Sequence, residues 1–190
     1  MYGSFIPLQS LPLTVVTPGL VIQGELQTRL RRLTDVLNEP TATHLILMGA
    51  TFMEVGSRRV MAGPAVTQVQ LDDMLFVHSN GPIEAGQELR TPKQAIRTVI
   101  LASPYTIEGL IQLPYESEVQ QALDAFEGRF FTVTSARYWA YSVAESPNYV
   151  DLLVVNHRRA HVAIPAGVEW QQESQTSGGS GGSGGGSDVW

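Results

Sequence analysis

The amino-acid sequence predicts an α+β fold built from two copies of a strand–helix–three-strand unit. We expect the two copies to pack around a pseudo-twofold axis as a sheet-rich body, barrel-like or sandwich-like, with two helices outside. Three observations predict this fold: an internal match between the two halves of the chain, one helical pattern of apolar residues in each half, and stretches rich in β-branched and aromatic residues around each helix.

The internal match joins segments that occur in the same order in both halves. It pairs residues 14–18 with 99–104, 22–26 with 107–111, 32–38 with 118–124, 45–50 with 131–136, and 71–78 with 149–156. The offset is 85 or 86 residues in the first four pairs and 78 in the last, so we expect a connection eight residues shorter in the second copy. We therefore place the first repeat at residues 1–88 and the second at 89–175, joined by the polar segment 86–94.

Each half contains one apolar pattern with the period of an α-helix. In the first half Leu30, Leu33, Val36 and Leu37 would lie on one helical face, and Pro40 would end the helix. The corresponding face in the second half would be formed by Val119, Ala122, Leu123 and Phe126, with Ser117 as the N-cap and Gly128 as the stop. We expect both helices on the outside of the sheet.

One strand is expected before each helix and three after it. The strand before the helix spans 20–26 in the first half and 105–113 in the second, and a glycine inside each indicates a bulge. The later strands are predicted in the β-rich stretches 42–55 and 129–143 and in the closing segments 67–78 with Ile83, 149–156 and 161–164.

Composition and charge exclude several classes of function. The chain has 12 basic and 18 acidic residues, a formal net charge of −6, and its arginines occur as scattered pairs. Proteins that bind the nucleic-acid backbone normally carry a basic stripe, so we expect no nucleic-acid partner. Cysteine is absent, which excludes disulfides and thiolate metal sites, and no motif predicts a cofactor. Without a signal peptide or an apolar run long enough to cross a membrane, we expect a cytoplasmic protein.

Two short motifs carry a family resemblance. Residues 32–38 read R-L-T-D-V-L-N, and residues 153–156 read L-V-V-N. In this the chain resembles small uncharacterised bacterial domains that have an R-L-x-D-x-L-N turn of helix and a late V-N strand end, here in two tandem copies. The first half has His78 where the asparagine would be, and the second has lost the arginine of the helix motif. The resemblance bears on the fold and implies no activity.

The densest polar cluster is Asn-His-Arg-Arg-Ala-His at residues 156–161. Arg158 and Arg159 could bind a carboxylate through their guanidinium forks, but the favoured interpretation is a polar turn in a β-hairpin. The pair Asp72-Asp73 could serve acid–base or metal chemistry, but a solvated turn is favoured because no third ligand stands at metal spacing. The aromatic run around Trp139 is expected to pack in the sheet, with a ligand-facing patch as the alternative.

The C-terminal residues differ in character from the rest of the chain. Residues 176–187 form a Gly/Ser tract typical of a man-made flexible linker, and this tract carries the tripeptide Asp188-Val189-Trp190. Tethering a weak peptide to its binding domain raises its effective concentration to about millimolar. Flexible residues 177–187 span about 18 Å, which predicts a peptide groove within about 20–35 Å of Gln175. A cloning remnant, a purification tag and a tryptophan added for absorbance are the alternatives.

The tail therefore favours a non-enzymatic peptide-binding adaptor whose partner is a short segment of another protein, mimicked by residues 188–190. The candidate contact residues are Arg137, Trp139, Arg158, Arg159, Asp188 and Trp190, with Trp190 as the anchor. Addition of the peptide to an exposed strand is a second way to bind it. Two alternatives stay open: a self-assembling subunit, and an enzyme with a site between the repeats that uses His157, His161 and the Asp72-Asp73 pair.

Overall fold

The computed structural model describes residues 8–29, 32–79, 93–114, 119–124, 126, 128–141 and 146–165. These residues form one sheet of eleven antiparallel strands and only two short helices. The α+β prediction is therefore wrong, and the described part of the chain is essentially all-β. The linker and the residues Asp188 and Trp190 lie outside the described residues, as do Leu30, Ile83, Ser117 and most of the predicted joint 86–94.

The strands of the sheet are β1 (Gln9–Val16), β2 (Leu20–Thr28), β3 (His44–Glu54), β4 (Val60–Ala62), β5 (Val66–Gln70), β6 (Phe76–Ser79), β7 (Lys93–Ala102), β8 (Tyr105–Pro114), β9 (Phe130–Ala140), β10 (Asn148–Asn156) and β11 (His161–Ala163). The helices are α1 (Leu33–Leu37) and α2 (Val119–Asp124), and two 3-10 turns are η1 (Leu71–Asp73) and η2 (His157–Arg159). The sheet order is β11-β7-β8-β9-β10-β6-β1-β2-β3-β4, and β5 also pairs with β3.

The predicted strand–helix–three-strand unit is wrong because the apolar segments 13–16 and 97–102, which precede the predicted first strands, themselves belong to strands β1 and β7. In the first half, β1 and β2 form a hairpin in which Val16 lies opposite Val21, and in the second half β7 and β8 form another. The helical patterns yield only five residues in α1 and six in α2. Helices this short depend on packing: Leu33 and Leu37 are buried in one core, and Leu123 packs against the other.

Residues 9–79 and 93–163 have the same order of elements: a hairpin, a short helix, antiparallel strands, a 3-10 turn, and a last strand that pairs with the first strand of that half. The offset of 86 residues continues as far as the two 3-10 turns. The amide of Leu71 donates to the carbonyl of Thr43 at 2.9 Å, and the amide of His157 donates to that of Arg129 at 2.8 Å. Residue 71 thus matches residue 157 and not 149, and β4 is an extra strand of the first half.

A β-bulge lies at matched positions in the two halves. The pairing of β2 with β3 shifts at Gly24, and that of β8 with β9 shifts at Gly109. The residues that bulge out opposite them, Gly49 and Ser135, both have left-handed backbones, with φ of 58° and 48°. A bulge bends and twists its strand, so both hairpins curve at the same place.

Two hydrophobic cores lie on opposite faces of the sheet. Where β6 meets β10, Phe76 lies opposite Val155 in one core, and Val77 lies opposite Val154 in the other. The core around Phe76 is built mainly from the second half, and the core around Val77 mainly from the first. Directly paired residues share a face, so the central strands are buried on both sides and join the halves into one body.

Candidate functional site

A groove of about 510 Å³ lies where η2 meets the turn between β7 and β8. This volume is within the range of about 300–1,000 Å³ found for small-ligand sites. Its lining includes Leu101, Ser103, Tyr141, Arg158, Arg159 and His161. The groove therefore collects the arginine pair of the polar cluster together with the end of the aromatic run.

The buried side chain of Asn156 fixes the arginine turn. Its Oδ1 accepts the amide of Arg158 at 3.0 Å, while its Nδ2 donates to the carbonyls of Leu71 and Met74 at 3.1 and 3.0 Å. Asn156 has no exposed surface, and all three bonds lie in or beside the core. A buried amide with satisfied partners holds its surroundings in one geometry, so the backbone that carries Arg158 and Arg159 is rigid.

The other wall of the groove is apolar and aromatic. Leu101 is 47% exposed and Tyr141 is 62% exposed, large fractions for side chains of their kind. The Tyr141 hydroxyl shares a hydrogen bond of 2.6 Å with Ser103 Oγ, and the Tyr141 amide donates to the carbonyl of Pro104 at 3.1 Å. These bonds hold the ring of Tyr141 beside the β7–β8 turn, where a planar ligand group could pack on it.

The charge of the groove is positive. Arg158 and Arg159 are exposed at its edge beside His161, and none of the described lining residues is acidic. An arginine without a neighbouring carboxylate keeps its fork of donors for an incoming anion. The arrangement suits a ligand that combines a carboxylate with an apolar or aromatic group.

The candidate Arg137 does not line the groove. It lies on β9 opposite Glu108, and its Nε donates to the Glu108 carboxylate at 2.9 Å. Two hydrogen bonds raise the pKa of the Arg137 guanidinium above its ordinary value, and the one to Glu108 contributes more than the one to Tyr149. Arg137 already has a carboxylate partner, so it is a poorer receptor for a second one than the groove arginines.

Trp139 also lies outside the groove but on the same surface of the sheet. Cross-strand pairs run from His161 to Leu101, from Leu101 to Thr106 and from Thr106 to Trp139. Directly opposed residues point to the same face, so this row joins the groove to the half-buried Trp139 over three strand spacings, about 14 Å. The Arg137 guanidinium lies 5.8 Å from the centre of the Trp139 ring.

The other polar residues singled out in the sequence are engaged elsewhere. The His157 ring packs edge-on against Phe126 and Phe131, and Asp72 lies 3.6 Å from the Arg129 Nε. Only His161 of the four groups considered for catalysis lines the groove. The segment that contains the arginines connects two strands, but these do not form a hairpin with each other, because β11 crosses to pair with β7.

Sequence reasoning missed Leu75 and Leu101 as groove residues. A usable signal was the alternation in β7, where Ile96, Ile100 and Ala102 point inward and Leu101 points outward. An exposed leucine beside a turn, in register with an aromatic run on another strand, marks a surface patch. That inference needs the strand pairing, which the sequence does not supply.

One buried polar contact lies away from the groove. His78 Nε2 is 3.2 Å from the Tyr138 hydroxyl, and His78 Nδ1 is buried without a hydrogen-bond partner among the described residues. Burial lowers the pKa of His78, and the nearby backbone of Ser79 opposes this less strongly. Burial also raises the pKa of Tyr138 to about 12, so its phenol stays protonated.

Comparison with protein-family models, with curated proteins and with solved structures finds no match for the chain. In the part of the chain described by the structure, no helix is long and apolar enough to span a membrane. Within the same residues, no three histidine, aspartate or glutamate side chains come together in a way that could hold a metal ion.

Proposed function

We propose that the chain is a peptide-binding adaptor domain and that the groove between η2 and the β7–β8 turn receives a short segment ending in Asp-Val-Trp. The observation that carries the proposal is the combination in one groove of two exposed arginines with an exposed leucine and tyrosine. An aromatic residue next to carboxylates is the complementary ligand. The tripeptide at residues 188–190 has this chemistry, because the carboxylate of Asp188 stands two residues from the indole of Trp190.

In this arrangement the Trp190 ring packs on Leu101 and Tyr141. Burial of about 200 Å² of indole is worth about 5 kcal/mol in transfer free energy. The carboxylate of Asp188 faces Arg158 and Arg159, where an exposed ion pair adds at most about 1 kcal/mol. The loss of translational and rotational freedom on association offsets part of this gain, so the free peptide binds weakly and a covalent tether is useful.

The chain length is consistent with docking of the tail in its own groove. His161 lines the groove, and Pro165, the last described residue, follows it by four residues. The 22 residues from 166 to 187 can cover at most about 75 Å. This length exceeds the distance of about 14 Å that four extended residues can cover, so the tripeptide can reach the groove.

Calorimetry with a synthetic peptide ending in Asp-Val-Trp tests the proposal. The host is the full chain carrying Trp190→Ala, which removes the tethered anchor. We expect a dissociation constant in the micromolar range, weakened at least about tenfold by the double change Arg158→Ala and Arg159→Ala, the loss of about 1.4 kcal/mol.

Arg97→Ala is the matched control, since Arg97 is an exposed arginine of the same sheet that does not line the groove. It should leave the affinity unchanged. Absence of heat with the Trp190→Ala chain at high micromolar peptide, or equal losses in the Arg97 and Arg158/Arg159 variants, would contradict the proposal.

A further inference from the structure

The two halves of the chain meet through one strand pair that joins unlike edges. The last strand of the first half, β6, pairs with β10 of the second half, so that Val77 lies opposite Val154 and Phe76 opposite Val155. The amide of Asn156 extends this contact by donating to the carbonyl of Leu75 at 2.9 Å. Each half thus has two different outer strands. One is its last strand, β6 or β11, and the other is the strand before it, β5 or β10. The contact between the halves joins one strand of each kind.

One outer strand of each kind takes no part in the contact between the halves. The strand that matches β6 is β11, at an offset of 85, since Phe76 lies opposite Val16 and His161 opposite Leu101. The strand that matches β10 is β5, at an offset of 86. Within the described ranges, β11 pairs only with β7, and β5 pairs only with β3. The two remaining edges are therefore complementary by the same pairing that holds the halves together.

The hydrogen bonds at both ends of β5 show which of its amides face outward. The amide of Leu71 donates to Thr43, and the carbonyl of Ala65 accepts from Gly49, both on the β3 side. Hydrogen bonding alternates along an antiparallel strand, so Thr67 and Val69 face β3 while Val66, Gln68 and Gln70 face away from it. The sequence of β5, Val-Thr-Gln-Val-Gln, has none of the charges or prolines that protect exposed strand edges.

We propose that β11 of one copy of this chain pairs with β5 of a second copy. By these offsets, Val162 then lies opposite Gln68 and His161 opposite Val69, and the amide of Gln70 donates to the carbonyl of Ala160. The occupant is a second copy because the contact repeats the pairing that already joins the halves of one chain. An interface between unlike edges closes into a ring when its rotation permits and otherwise continues as a filament. The proposal is independent of the peptide groove.

Light scattering on the full chain tests the proposal through the mass of the particle. We expect an average mass of at least twice 20.7 kDa, the mass of one chain, and we expect it to increase with protein concentration. Gln68→Pro removes one outward amide of β5 and no β3 hydrogen bond, so it should reduce the mass to that of one chain. Gln68→Ala removes the same side chain but keeps the amide, and should assemble like the parent. A parent that stays at 20.7 kDa up to high micromolar concentration overturns the proposal, as does assembly of the proline variant.

A cross-link provides a second test that does not depend on the folding of the proline variant. The chain has no cysteine, so Gln68→Cys with Val162→Cys introduces the only two thiols. Opposed residues in paired strands have Cβ atoms about 5 Å apart, close enough for a disulfide. Oxidation should produce covalent species of two or more chains on a denaturing gel, and each single-cysteine variant should produce far less. A disulfide that closes within one chain would show that the two edges meet intramolecularly and would overturn the proposal.

Discussion

The side chain of Asn38, at the end of α1, pairs with both backbone groups of Phe130, at the start of β9. Its Oδ1 accepts the Phe130 amide at 2.8 Å, and its Nδ2 donates to the Phe130 carbonyl at 2.9 Å. Asn38 belongs to the first half and Phe130 to the second, and the Phe130 ring is buried in the core of the first half. The Asn38 side chain thus makes the two backbone hydrogen bonds that a neighbouring strand would otherwise make to Phe130, and it links the first half of the chain to the second.

Asn38→Ala should lower the free energy of unfolding by about 1–3 kcal/mol, because the Phe130 amide and carbonyl lose their partner in a partly buried place. Asn148→Ala, at an exposed position of β10, is the control and should change stability by less than about 0.5 kcal/mol. Urea denaturation of both variants measures the difference. Equal stabilities would show that the Asn38 bonds contribute nothing to the joint between the halves.

Gly109→Ala should destabilise the chain by about 1–3 kcal/mol through overpacking at the bulge. A methyl group there would lie 2.5 Å from Val133 Cγ1 and 3.0 Å from the Thr134 carbonyl oxygen. Gly19→Ala is the control, since no atom lies within 4 Å of the position its methyl would occupy. Thermal unfolding should rank Gly109→Ala clearly below Gly19→Ala, and the reverse order would mean that β8 and β9 do not approach as described.

His78 should make the chain less stable in acid. Burial lowers its pKa in the folded state below 6.5, so under acidic conditions the unfolded chain binds a proton that the folded chain does not. The stability from the neutral ring is complete above pH 6.5 and decreases as the pH falls from 6.5 toward the folded pKa, by up to about 1.4 kcal/mol per pH unit.

Denaturant titrations between pH 7 and pH 5 measure this slope. The variant His78→Gln should lose this part of it, while His161→Gln, which changes an exposed ring, should keep it. An unchanged slope in His78→Gln would show that another group causes the acid sensitivity.

Local patterns in the sequence predicted several parts of the fold. The glycines at 24 and 109 indicated bulges, and both lie at register shifts between strands. The apolar spacing of Leu33 and Leu37 indicated a helix, and both side chains are buried on α1. It did not give the length of the helix, because one and a half turns are enough to cover a core whose other walls are strands.

Long-range pairing was not predictable in the same way. Nothing in the residues around His161 shows that β11 crosses to β7, and a hairpin with β10 was the natural expectation. The groove follows from that crossing, since it brings Arg158 and Arg159 beside Leu101. The arginines were recognisable as candidates from their residue type, but their apolar neighbours depend on strand order.

Competition between the tethered and the free peptide tests the central claim most directly. The same synthetic peptide ending in Asp-Val-Trp is titrated calorimetrically into the intact chain and into the Trp190→Ala chain. If the tail occupies the groove at an effective concentration of about 1 mM and the free peptide binds with a dissociation constant of about 100 μM, the intact chain should bind the peptide about tenfold more weakly. Equal affinities for the two chains would contradict docking of the tail in the groove.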